Sequence, residues 1–164
     1  MPTPTYTALA NITLGSSASS VTFSSIPATY RDLVLIESFQ HTTTGSQSLM
    51  KFGDTSTNYS MVTMRGDGSA ANSAAFSGEA SLGTTPGNTN NTANVQLTCV
   101  RQIMDYSATD KHKTILQRFN DTSQHTIAVA GRWANTSAIT TIALSNLSGN
   151  YAAGSSFALY GIAS

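Results

Sequence analysis

An all-β fold, a jelly-roll-like β-sandwich of about eight to ten strands with little or no helix, is what this sequence predicts. Three observations predict it. Apolar residues recur with period two in short runs, those runs are rich in Thr, Val and Ile, and clusters of Gly, Ser and Asn separate them. No window carries an apolar stripe of helical period with a cap before it and a glycine after it.

The elements follow in chain order. Tyr6, Ala8, Ala10, Ile12 and Leu14 alternate with Thr and Asn, as in a strand with one buried face. Val21 and Phe23 repeat the pattern until Pro27 breaks it. Leu33, Val34, Leu35 and Ile36 are apolar without alternation, which suits a strand covered on both faces. Just before them, Tyr30 and Asp32 read as braces of the Pro27 turn, one through a buried ring and the other through a hydrogen bond to backbone. Met50 and Phe52 alternate next, then Tyr59, Met61 and Thr63, then Val95, Leu97, Cys99 and Ile103. Runs at 114–119, 126–133, 138–144 and 156–162 complete the set. The clusters LGSSASS, HTTTGSQS, RGDGSAANS and LSGNYAAGSS read as turns. The chain therefore divides into an extended N-terminal arm at residues 1–8 and a single sandwich domain at 9–164. Pro2 and Pro4 disfavour helix and limit strand pairing in the arm. A polar stretch at 83–94, GTTPGNTNNTAN, is expected to be a long exposed loop.

Composition narrows the function. The chain has 164 residues, enough for one core, and nearly three in ten are Ser or Thr. Charged residues make up 10%, against about a quarter in ordinary soluble proteins. Eight basic residues balance eight acidic ones, so no positive field gathers nucleic acid or an anionic membrane. So little charge also does little to oppose self-association. No stretch approaches the roughly 20 apolar residues of a membrane helix. The opening MPTPTYTALANITLG lacks a basic segment and a continuous apolar one, so a secretory leader is not expected and synthesis in a cytoplasm is. Cys99 is the only cysteine; it excludes an intrachain disulfide and reads as a small core hydrophobe.

Motifs that carry chemistry are weak. Arg65-Gly66-Asp67 spells an integrin-binding tripeptide, but it follows a strand and opens into Gly68-Ser69, where a turn wants glycine. Asp121, Ser123 and His125 bring a carboxylate, a hydroxyl and an imidazole together in sequence. Catalytic triads, however, assemble from distant segments beside an oxyanion hole, and no Gly-x-Ser-x-Gly elbow is present. His41, His112 and His125 lack zinc-site spacing, and the acidic residues form no calcium loop. No catalytic residue, cofactor or metal is expected, and the chain reads as a protein that is not an enzyme. Asp110-Lys111-His112-Lys113 reads as a solvated charged turn. Trp133 is expected in the core, with a sugar-stacking platform as the sharper alternative. Because strand residues alternate, either Arg132 or Trp133 faces out.

The stretches VTFSSIPATYRDLVLIES, GDTSTNYSMVTMRGDGS, GRWANTSAITTIALS and GNYAAGSSFALYGIAS together resemble a family of small bacteriophage virion proteins. These are head-decoration or tail-associated β-sandwiches of phages infecting marine and freshwater bacteria. The likeness runs from Tyr6 to Ile162. Its most specific parts are Ile26-Pro27 with Tyr30, Asp32 and Leu33; Gly53-Asp54-Thr55 with Asn58-Tyr59-Ser60; and Leu159-Tyr160-Gly161-Ile162. The resemblance implies a structural protein located in the virion.

The expected function is that of a capsid decoration (cement) protein, a homotrimer that binds the major capsid protein or another virion protein and stabilises the assembled shell. Neither nucleic acid nor membrane is an expected partner. The alternative is a tail-fibre or receptor-binding module that takes a host surface glycan, with Trp133 or Tyr59 as the stacking ring. The arm and the long loop are the expected contact elements, through Pro2, Pro4, Tyr6, Pro86, Asn88, Asn90 and Asn91.

Overall fold

The structure, a computed structural model, describes residues 5–84, 91–120 and 125–163. Among the described residues it is all-β, with twelve strands in two antiparallel sheets and no helix. Numbered in chain order, the strands of the larger sheet are β1 (Tyr6–Thr13), β3 (Asp32–Phe39), β5 (Tyr59–Gly66), β6 (Ala71–Glu79), β8 (Leu97–Met104), β9 (Lys113–Asn120), β10 (Thr126–Trp133) and β12 (Ser156–Ile162). Their spatial order is β1-β12-β3-β8-β9-β10-β5-β6. The smaller sheet runs β2-β11-β4-β7, from β2 (Ser20–Phe23), β11 (Ile142–Asn146), β4 (Ser48–Lys51) and β7 (Leu82–Gly83).

The two sheets meet over a core set by alternation. On β3, Leu33, Leu35 and Phe39 point inward and are fully buried; Leu97, Cys99 and Ile103 do the same on β8, and Ile115 and Phe119 on β9. Phe39 stacks between Phe119 and Phe157, each 6.4 Å away between ring centres. From the small sheet, Val21, Phe23, Met50, Ile142 and Leu144 close the layer.

The Pro27 turn is docked as the sequence suggests, with one addition. Asp32 is buried and accepts a hydrogen bond from the Asp105 backbone N–H at 2.9 Å. The Tyr30 ring lies against Gly161, where any Cβ would come within 2.4 Å of it. The addition is Tyr106, whose hydroxyl donates to the Pro27 carbonyl and accepts from the Tyr30 N–H.

Several expectations need correction. Strand β6 begins inside the RGDGSAANS turn cluster and continues through residues 74–79, which show no strand pattern. It is a sheet edge of Ala, Ser and Asn exposed on nearly every position, so it buries no face that could mark it by alternation. The expected 138–144 strand is displaced to Ile142–Asn146. Tyr6, Thr7 and Ala8 are not a free arm: they pair with Ile162, Gly161 and Tyr160 as the start of β1, while Pro2 and Pro4 lie outside the described residues. The 83–94 stretch is anchored at both ends. Gly83 pairs with Leu49, and Thr84 and Asn91 are fully buried. The Asn91 side chain donates to the Ser46 carbonyl at 2.9 Å, which removes it as an exposed contact; Pro86, Asn88 and Asn90 lie outside the described residues. Lys113 is also no solvated charge. It is fully buried, and its ammonium donates to the carbonyls of Ala108, Lys111 and Thr136 at 2.7, 2.9 and 3.3 Å. Finally, the outer side of the Leu33–Ile36 run is covered at Val34, which is buried, and open at Ile36, which is exposed.

Candidate functional site

Three places could carry function: a polar network inside the sandwich, an aspartate–aromatic cluster at one end, and the outer face of the large sheet.

The interior network centres on Arg101, which points from β8 into the core. Its guanidinium pairs with the Glu37 carboxylate and donates to the Gln117 side chain at 2.9 Å, the Leu82 carbonyl at 3.2 Å and the Ser48 hydroxyl at 3.1 Å. The Ser48 hydroxyl also bonds the other Glu37 oxygen and the Tyr151 hydroxyl, each at 2.8 Å. Burial works against the guanidinium charge, and the adjacent carboxylate more than offsets it, so Arg101 stays above its ordinary value. Burial pushes the Cys99 thiol up to about 12, which keeps it protonated and inert. Glu37, Ser48 and Arg101 are all sealed from solvent, so the network joins the two sheets and presents nothing to a substrate. Its sequence signal is register: Glu37, Arg101 and Gln117 each stand at an inward position between two core residues.

At the second place Trp133 is buried and its indole N–H donates to Asp54 Oδ2 at 2.8 Å, while the Tyr59 hydroxyl donates to Asp54 Oδ1 at 2.8 Å. Partial burial raises the Asp54 pKa; hydrogen bonds from Ser56, Trp133 and Tyr59 outweigh that and hold it below the usual carboxylate range. Arg132 takes the outward position. With Trp133 and Tyr59 both in the core, neither is a sugar-stacking platform.

The short motifs resolve as structure. Asp67 Oδ1 accepts from the backbone N–H groups of Ala70 and Ser69 and from the Ser69 hydroxyl, which lowers its pKa to about 2. The aspartate of the Arg-Gly-Asp tripeptide is therefore spent on its own hairpin turn between β5 and β6. His41 is fully buried between Phe39 and Tyr151. Asp121 and Ser123 lie outside the described residues. Among the described residues no three His, Cys, Asp or Glu side chains gather as a metal site, and no helix is long and apolar enough to cross a membrane.

The outer face of the large sheet is the remaining place. Opposite the inward residues, two cross-strand rows point away from the core. One row runs Tyr160, Val34, Gln102, Leu116, Ala130, Val62; the next runs Ala158, Ile36, Val100, Arg118, Ala128, Met64. Ten of these twelve positions are apolar or aromatic, and Arg118 is the one charge. Ser156, Ser38 and Thr98 flank the rows on one side; on the other the flank runs through Ile162, Asp32 and Met104 to Thr114, Arg132 and Ser60. The rows form an open trough of about 690 Å³, with Tyr6 at one end and Met64 at the other. Met64 is 57% exposed, Leu116 44% and Tyr6 58%. Soluble monomers rarely leave so continuous an apolar patch facing water.

Tyr6 is thus the one described contact residue expected from the sequence that lies at this site. Sequence reasoning missed the rest, although Val34 and Ile36 announce it by breaking the alternation of β3, as do Val100 on β8 and Leu116 on β9. A scan against protein-family models matched none, and searches of curated proteins and of solved structures found no match to this chain.

Proposed function

We propose that this chain is a structural component of a bacteriophage virion, a capsid decoration (cement) protein that binds and stabilises the assembled shell as a homotrimer. The observation that carries the reading is the contrast between the two sides of the large sheet. Inward, ionic groups tie the sheets into one rigid body; outward, the two central cross-strand rows are apolar with one charge, Arg118. Such a body suits adhesion and has no evident use for a catalytic step. Its mechanism is mass action: a protein that binds the intact shell and not its dissociated parts shifts the equilibrium toward the intact shell. The sequence resemblance supplies the virion context, and low net charge allows dense packing of copies. The test is titration of purified protein onto phage heads assembled without it. Saturable binding that raises the melting temperature of the shell is expected; heads that bind none, or bind it without gaining stability, contradict the proposal.

A further inference from the structure

We infer that the outer face of the eight-stranded sheet is the surface through which copies of this chain pack on one another. The inference deepens the reading of the chain as a self-assembling subunit and rests on it. Four observations select a second copy as the occupant.

The first is size. Eight strands at about 4.8 Å spacing and eight residues at about 3.4 Å give the whole face, apolar rows and polar flanks together, roughly 1,000 Å². A stable interface takes about 800 Å² from each partner, so the rows and their flanks together reach that size. The second is anatomy: an apolar centre flanked by Ser, Thr and Arg132 is the core-and-rim arrangement of a protein–protein interface.

The third is charge. The two apolar rows hold Arg118 and no acid, so a charged partner finds no complement here, and one arginine is too few for a phosphate backbone. A second copy carries zero formal net charge, so no long-range field opposes its approach. The fourth is asymmetry across the face. The β1–β12 side carries Tyr6 and Tyr160, and the β9–β10–β5 side carries Arg118, Leu116 and Met64. When the tyrosine side of one copy meets the arginine side of the next, the guanidinium gains an aromatic face.

The test is the molar mass of the wild-type chain by light scattering at tens of micromolar, beside the double variant Leu116→Asp/Met64→Asp. Both side chains are exposed, and Thr22→Asp on the outward side of β2 serves as the control. The expected result is an oligomer for wild type and control and a monomer for the double variant. Peroxide oxidation of Met64 in the wild type supplies a readout that needs no variant. Its rate should fall by about tenfold or more in the oligomer relative to the diluted monomer. A wild-type monomer, an oligomer that survives the double variant, or Met64 oxidised equally fast in both states overturns the inference. A wild-type dimer that the double variant dissociates supports the face while contradicting the trimer, and failure to bind phage heads contradicts the virion reading while leaving the face standing.

Discussion

The Arg101 guanidinium reaches β3, β4, β7 and β9 at once. Removing one partner of a buried pair leaves the other charge uncompensated, and Arg101→Ala is expected to destabilise the fold by about 3–5 kcal/mol. Urea unfolding measures it. Replacing both partners by apolar residues, Arg101→Met with Glu37→Leu, should recover most of the loss, because the cost lies in the stranded carboxylate. His41 gives the pH dependence. Burial lowers its pKa, and the Asn146 amide works in the opposite, smaller sense. The unfolded chain takes up a proton near pH 6.5 that the folded chain resists. Stability is therefore complete above about 6.5 and falls as pH drops below it. His41→Gln should flatten the urea-midpoint profile between pH 5 and 6.5, and an unchanged slope would contradict the assignment.

At the scale of elements, strands were legible where one side chain in two meets the core. The alternation Leu97, Cys99, Ile103 and the run Thr126–Trp133 were placed correctly because burial wrote them into the sequence. β6 was not, since an edge exposed on nearly every position leaves composition free. β7 is two residues long, too short for any period; β4 is the strand it pairs with, and Arg101 and Gln117 hold its carbonyls. The pairing of Tyr6 with Ile162 joins the two ends of the described chain, and Pro2 and Pro4 gave no hint of it. The Leu33–Ile36 run was read as covered on both faces. The single chain buries Val34 on the outer side as well, and Ile36 is the position of the run left exposed, in the outer trough.

At the scale of the molecule, the candidate site was the least legible part. Tyr6 was anticipated, but Asn91 belongs to the interior, and the residues that build the trough come from seven strands spread between Tyr6 and Tyr160. Only the sheet order brings them side by side, and no short motif encodes it. The same order places Glu37 of β3 beside β8, whose Arg101 meets it diagonally on the shared inward face, so one register creates both the ionic interior and the apolar exterior.

A subunit that decorates a shell must be abundant on it, and copy number per particle tests that most directly. Quantitative mass spectrometry of purified virions, with labelled peptides of this chain and of the major shell protein, measures it. A count of the same order as the shell protein, in a fixed ratio to it, is the expected result. A few copies per particle, or none, would contradict the account.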